Sequence, residues 1–426
     1  MYKILIVSNE RISKSSSNGR TLLNLLFGYE SSSIAQFYIH GKKDESVVIS
    51  SFQVSDKDAL NAFLHVKNQS VSNENEHKPT RKKISHSCKN MVIRNFIWMT
   101  YQWWDSRFEK FINDFSPDLV LFQAGDSPFM YSIAYRISKR WNIPLVMYNS
   151  ESYVLKRRIY SSANIYSIWH FALMRSLRYW YKKVMEICSF CIYSMEELEK
   201  AYQKAYPHPG RSKTLYISSS IESGQTIVAN TPEVFTVAYC GNLGVGRSDC
   251  LLEFAQTLYK VDKTAKLVIC GKFPSFDLQQ RICEIPIVEY RGFVSYEEVQ
   301  KIIKLSSAVL HCEKDDRLID LKYAFSTKIA DSLACGKPFI VFASHDYPFV
   351  KYLEKHNAAH IAGNKNELEE TLYNCINDRE FLHNTVNNAL NLARQNHNIQ
   401  KNAEIFRQII NNMVYRKDEY INRKEV

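Results

Sequence analysis

Tyr323-Ala-Phe-Ser-Thr-Lys-Ile-Ala-Asp-Ser-Leu-Ala-Cys-Gly-Lys-Pro-Phe-Ile-Val-Phe342 reads as a short helix feeding a buried strand. Ser326 and Thr327 are N-cap residue types, and Ile329, Leu333 and Ala334 recur behind them at helical spacing. Gly336 is the expected stop, Pro338 follows it, and residues 339–342 form a short apolar strand. The helix start carries two hydroxyls and a cation, Lys328. Free backbone N–H groups, the helix dipole and an ammonium together suit an anion such as phosphate. Asp331 lies one turn on, near the face of Lys328 and Thr327.

Strand patterns surround this stretch at 234–240, 266–270, 288–291, 308–312 and 358–361, with helical patterns between them. After the first comes Cys240-Gly-Asn-Leu-Gly-Val-Gly-Arg247-Ser. Its glycines let backbone approach a ligand closely, and Arg247 offers a planar fork for phosphate; a tight turn with a solvated arginine is the plainer alternative. Arg291-Gly-Phe-Val-Ser-Tyr-Glu-Glu298 ends another strand. There the backbone of Phe293 and Val294 is placed to read a base edge, or forms an ordinary strand–turn–helix.

The first half alternates too. Residues 2–8 are a buried strand, 9–19 a polar loop, and Gly19-Arg20 opens a helix. Further strands are expected at 35–39, 47–52, 118–123 and 144–148, and helices at 56–66, 92–115 and 130–140. Residues 67–87 are polar and read as a mobile loop. No GxGxxG is present, which argues against a tightly held dinucleotide here. Residues 218–232 lack periodicity and read as a linker. The expected domains are therefore 1–217, 233–395 and a helical tail, 396–426, returning to the first domain. Alternation in both halves implies two parallel sheets, with ligands beyond the carboxyl ends of their strands.

Length alone points to two domains, and the net charge of +11 favours anionic partners: nucleotides, nucleic acid or an anionic membrane. No helix-turn-helix, zinc-finger or RNA-binding aromatic motif supports nucleic acid. Cys240, Cys270 and Cys312 fall in apolar runs. Cys188-Ser-Phe-Cys191 stands alone, as core thiols or a redox or metal pair. Met1 leads directly into a strand and no apolar run reaches membrane-spanning length, so a reducing, cytoplasmic setting is expected. No metal-ligand spacing and no obligatory acid–base pair of carboxylates is found.

Together the glycine loop, the Gly-Phe-Val segment and the 326–338 stretch resemble the retaining glycosyltransferases of the GT-B fold, specifically glycosyltransferase family 4. The resemblance is strong over 230–365 and weaker before it. It implies an α/β protein of two Rossmann-like domains whose parallel sheets face across a cleft. It implies transfer of a hexose from a nucleotide-diphosphate donor to a saccharide, in bacterial capsule, exopolysaccharide or O-antigen assembly. A sugar epimerase and an inverting transferase are the rivals within the fold.

In that reading Arg247 takes the place of the family's phosphate-binding lysine and joins Lys328 at the diphosphate. Gly241, Asn242, Gly244, Gly246, Phe293, Val294, Ser326 and Thr327 line the donor, and Asp331 holds its ribose. No cofactor or metal is implied. Two positions depart from the family: Asn242 stands where it has arginine, and Tyr323 where it has the first glutamate of a spaced pair. Asp315, Asp316 and Asp320 are substitutes for that acid. By analogy the first domain takes the acceptor at Gly19, Arg20, Asp126 and Asn149. Glu151 is the candidate for the reacting hydroxyl, with a surface or capping carboxylate as the alternative. A front-face retaining mechanism needs no general base, because the leaving diphosphate accepts the proton. His311 ends a strand nearby and reads as structural.

Residues 164–184 form a helix with a stripe of Trp169, Leu173, Leu177, Trp180 and Val184, opposite Arg175, Arg178 and Lys182. From 154 to 184 there are seven Lys or Arg and no Asp or Glu. The stripe faces either the core or an anionic membrane on the cytoplasmic side, where a lipid-linked acceptor would lie.

Overall fold

The computed structural model describes residues 2–14, 16–41, 47, 49–66, 87–159, 163–221, 233–314 and 321–422. The chain divides into two compact units, Met1–Thr214 with Phe406–Val426, and Leu215–Ile405.

The first unit runs β1 (Ile4–Glu10), α1 (Ser17–Leu25), β2 (Ile34–His40), β3 (Ser50–Gln53), α2 (Asp56–Phe63), α3 (Cys88–Met99), α4 (Ser106–Phe115), β4 (Leu119–Gln123), α5 (Pro128–Trp141), β5 (Leu145–Asn149), α6 (Ile168–Ile187), β6 (Cys188–Tyr193), α7 (Glu196–Ala205) and β7 (Ser212–Thr214). The sheet order is β3-β2-β1-β4-β5-β6-β7, with every pairing parallel. In β1, β4 and β5 consecutive residues are buried on both faces, which is why these strands read as unbroken apolar runs rather than alternating ones. The order reverses between β1 and β4, so the loops leaving them diverge at the carboxyl edge.

Several local expectations are corrected in this unit. The 92–115 run is two helices, broken at Tyr101 (φ 58), where the Trp98, Trp103 and Phe108 rings pack the corner at 5.3 and 5.5 Å. Helix α1 starts at Ser17, because Ser16 Oγ accepts the Gly19 N–H at 3.0 Å; Gly19 and Arg20 are in its first turn, not in a loop. The α6 stripe is split. Leu173, Leu177 and Val184 are buried in the core, where α6 packs on α5 and α3. Trp180 is half-buried, edge-on to Tyr135, and Trp169 stays 40% exposed. The core takes the leucines, so no single apolar stripe is left for a membrane. Residues 67–86 lie outside the described residues.

The second unit contains β8 (Thr236–Cys240), α8 (Arg247–Val261), β9 (Lys266–Cys270), α9 (Phe276–Cys283), β10 (Val288–Gly292), α10 (Tyr296–Leu305), β11 (Ala308–Cys312), α11 (Thr327–Ala334), β12 (Phe339–Phe342), α12 (Pro348–Lys355), β13 (His360–Ala362), α13 (Lys365–Asn377), α14 (Arg379–His383), α15 (Val386–Asn396) and the start of α16 (Ile399–Asn422). Its sheet is also parallel, in the order β10-β9-β8-β11-β12-β13. Leu251, Phe254 and Leu258 of α8 pack on Val237, Leu267 and Ile269 of the sheet. The reversal here lies between β8 and β11.

Residues 365–396 are divided into three helices, after which the tail is the single helix α16. Asp378 caps α14 by accepting the Phe381 N–H at 2.9 Å. His397 turns inward and its Nδ1 bonds the Ile217 carbonyl at 2.7 Å, while Asn402 donates to the Tyr216 carbonyl at 2.9 Å. These bonds hold the start of the expected linker on the second unit; residues 222–232 lie outside the described residues. From Phe406 onward α16 belongs to the first unit, with the Phe406 ring edge-on to Tyr29 at 6.4 Å.

Candidate functional site

The loop after β8 and the residue directly after β11, Glu313, meet at the reversal point of the second sheet. After β8 the chain turns through Gly241 (φ 156), Val245 (φ 60) and Gly246 (φ 82), and Asn242 Oδ1 accepts the Gly244 N–H at 2.8 Å. Asn242 thus braces its own loop. A Cβ on Gly241 would stand 2.4 Å from Cδ of Lys328, and one on Gly271 would stand 2.1 Å from the Gly241 carbonyl oxygen. The glycine's close approach is therefore to Lys328, whose side chain lies along the bare backbone.

Helix α11 delivers that lysine. Ser326 caps the helix, its Oγ accepting the Lys328 N–H at 3.3 Å, and Thr327 is the first helical residue. The Lys328 ammonium donates to the Tyr239 hydroxyl at 3.1 Å, and that hydroxyl donates to the Asn242 carbonyl at 2.8 Å. Burial, then the nearby Arg247 charge, bring the Lys328 pKa down to about 8. An incoming anion would offset both effects.

Arg247, the first residue of α8, points its Nε at Glu313 Oε1 from 2.8 Å, and its Nη2 contacts the same oxygen. Glu313 follows β11 and is 5% exposed; His311 Nε2 lies 3.4 Å from its Oε1. Burial alone would raise the Glu313 pKa, but the His311 contact and the Arg247 charge hold it at about 2. Burial lowers His311 to about 4, so it is neutral at physiological pH, and its ring stands edge-on to Phe349. Burial opposes the Arg247 charge, yet Glu313 outweighs that and raises its pKa. Two cations, a carboxylate, a neutral imidazole and a phenol thus share one strand-end cluster.

The other expected donor residues are placed variously. Asp331 Oδ1 accepts the Ser219 hydroxyl at 2.7 Å, so it already anchors the chain entering this unit. Phe293 stands 85% exposed after β10, and Val294 is half-buried beside it. Asp315, Asp316 and Asp320 lie outside the described residues.

In the first unit Asn149 is the last residue of β5 rather than part of a loop, is fully buried, and neither polar atom of its side-chain amide has a partner among the described residues. Asn9 follows the β1 core, with Oδ1 buried and without a partner among the described residues, and Nδ2 2.7 Å from where a Gly125 Cβ would stand. Asp126 accepts from its neighbour Ser127 at 3.1 Å. Glu151 is paired with Lys156 at 2.6 Å, which neutralises it. Gly19 and Arg20 sit in the first turn of α1.

Sequence reasoning missed Glu313 and Tyr239. The available signal was an acid directly after a buried apolar run, at the carboxyl end of a strand. Its partner is 66 residues away and is known only once β8 and β11 are neighbours.

Residues 234–378 match the family described as Glycosyl transferases group 1. No curated protein sequence matches the chain. Anabaena HepE, solved in complex with UDP and glucose, is 14% identical with a TM-score of 0.63, covering 96% of this chain and 100% of that one. Sucrose-phosphate synthase from Thermosynechococcus elongatus is 11% identical with a TM-score of 0.65, covering 97% and 99%. The lipopolysaccharide outer core galactosyltransferase WaaB, in apo form, is 13% identical with a TM-score of 0.56, covering 97% and 99%. The fold is GT-B, two Rossmann-like domains with parallel sheets, and the second unit carries a glycosyltransferase group 1 domain.

Proposed function

We propose that this protein is a hexosyltransferase that moves a sugar from a nucleotide-diphosphate donor to a glycan. The observation that carries this is the Lys328–Arg247 pair at the strand-order reversal of the group 1 domain. A helix start with a capped first turn and two cations suits a diphosphate. HepE, in its solved complexes, binds UDP-glucose, which supports a nucleotide sugar as donor. A thermal-shift panel of UDP-, GDP- and ADP-sugars tests this, because a true donor raises the melting temperature by mass action. No shift with any of them overturns it.

The resemblance to family 4 supports retention, with the leaving diphosphate taking the acceptor's proton. It also supports a role in bacterial surface polysaccharide assembly, as does the likeness to WaaB. Asp331 remains the proposed ribose ligand, which requires Ser219 to share or yield its bond. Asn149, Asp126, Glu151, Gly19 and Arg20 are the proposed acceptor residues, Asn149 with the clearest claim because its buried side-chain amide lacks partners among the described residues. No helix among the described residues is long and apolar enough to cross a membrane. A peripheral contact with an anionic bilayer, and hence a lipid-linked acceptor, is supported by a different face of α6 from the stripe. Ile168 (74% exposed) and Phe171 (65%) share that face with Arg175 and Lys182, and Phe96 (61%) lies exposed on the adjoining α3.

A further inference from the structure

A carboxylate is an unexpected tenant of a diphosphate site. Glu313 cancels one of the two positive charges there and would repel the ligand's phosphates. Yet it is buried, ionised, and fixed through Oε1 by Arg247. Its second oxygen, Oε2, is also buried and has no hydrogen-bond partner among the described residues. The groups nearest to it meet other atoms: Arg247 Nε and Nη2 and His311 all meet Oε1, and the Lys328 ammonium bonds Tyr239. An ionised oxygen buried without a donor is costly, and it is an acceptor awaiting one. The phosphates of a nucleotide sugar bring no donor at neutral pH. Its hexose brings several hydroxyls, tethered next to the phosphate that Arg247 would hold.

Resting on the donor reading above, we propose that Glu313 is a specificity residue. Its Oε2 accepts a hydrogen bond from one hydroxyl of the donor hexose, while its Oε1 keeps the Arg247 fork aimed at the diphosphate. The carboxylate thereby separates the intact donor from the spent nucleotide. It weakens the hold on the diphosphate and strengthens the hold on the sugar, which favours product release. A site that hydrogen-bonds a hydroxyl also rejects hexoses lacking it.

The test compares UDP, GDP and ADP with their glucose and mannose conjugates by calorimetry, on the wild type and Glu313→Gln. Glutamine must give its one carbonyl oxygen to Arg247, which puts an amide NH2 where Oε2 stood. The nucleotide diphosphate should bind Glu313→Gln as tightly as the wild type or up to about tenfold tighter, and the sugar conjugate about tenfold or more weakly. Donors in which each hexose hydroxyl in turn is replaced by fluorine, which cannot donate, give a readout on the unaltered protein. One position should cost the wild type about tenfold or more and Glu313→Gln less than about twofold. Equal loss of diphosphate and conjugate in the variant, or no sensitive fluorine position in the wild type, overturns the Glu313 inference alone. A wild type that binds none of the nucleotides overturns the donor reading beneath it.

Discussion

The two sheets end in different chemistry. At the carboxyl edge of the second, charge is fixed and braced: Lys328 on Tyr239, Arg247 on Glu313, and Glu313 beside His311. At the carboxyl edge of the first, the Asn149 amide and the Asn9 oxygen are buried and uncharged, half-buried Glu151 is paired with Lys156, and the buried Arg11 guanidinium meets the Tyr38 hydroxyl. Both units share a doubly wound scaffold, so the difference lies in the strand-end residues, not in the fold. Fixed charges pre-oriented in a buried site are what an anion needs, and unpaired amides suit an uncharged polyol. The contrast supports the proposed donor site in the second unit and the proposed acceptor site in the first, and it can be broken at either end.

The largest effect should come from splitting the buried ion pair. Arg247→Ala strands Glu313 and should cost about 3–5 kcal/mol of stability, whereas Arg247→Ala with Glu313→Ala should recover most of it. Urea denaturation of the two variants measures this; equal stability of both would mean that the pair is not coupled. Lys328→Ala carries no such stability penalty and should lose about 2–4 kcal/mol of transition-state stabilisation, read as kcat/KM. Wild-type turnover would remove Lys328 from the site.

Acid should expose the second unit next. His311 and His397 are both held at about 4 by burial, below the ordinary 6.5. Between those values the unfolded chain binds protons that the folded one does not, so stability falls as pH falls from about 6.5 towards 4. The loss is about 3 kcal/mol per histidine by pH 4, as an upper bound. Glu313 adds to this with the same sign in a lower window: with its pKa depressed, its contribution is present above about 4.5 and is lost as pH falls towards 2. Denaturation at stepped pH should show the slope, and His311→Gln should flatten it; an unchanged slope contradicts the assignment.

In the first unit the same experiment has the opposite sign. The Asn149 side-chain amide has no hydrogen-bond partner among the described residues, so Asn149→Leu should leave stability unchanged or raise it by about 1 kcal/mol, while the KM for acceptor rises. A marked fall in melting temperature would show that the amide has structural partners. The smallest effect is expected at the surface. Phe171→Ser should cost less than about 0.5 kcal/mol, against about 2–5 for Leu173→Ala in the core of the same helix. It should nonetheless weaken binding to anionic vesicles, which flotation measures; intact binding would remove this face from the membrane.

The fold class was legible because parallel strands buried on both faces leave runs such as Ile4–Val7 and Leu119–Phe122, and helix caps such as Ser55, Ser295 and Ser326 punctuate them. Arg247 and Lys328 were legible as cations at glycine-rich or helix-start positions. Glu313 was not, since its meaning depends on β11 lying beside β8. The α6 stripe left core and membrane both open, because periodicity shows which face is apolar and not what covers it. The break between α15 and α16 was hidden because His397 and Asn402 bond to residues 216–218, far away in sequence.

The central claim is that Lys328 and its cluster hold a nucleotide's diphosphate, and the pH dependence of binding tests it most directly. Calorimetric titration of UDP, GDP and ADP from pH 6.5 to 9.5 should find at least one that binds. Its affinity should decline above about 8, where free Lys328 loses its proton and binding must restore it. Lys328→Arg should abolish that decline and Lys328→Ala should weaken binding at least tenfold at neutral pH. A nucleotide that binds with the same affinity and the same pH profile in all three proteins, or no binding to the wild type at all, would contradict the account.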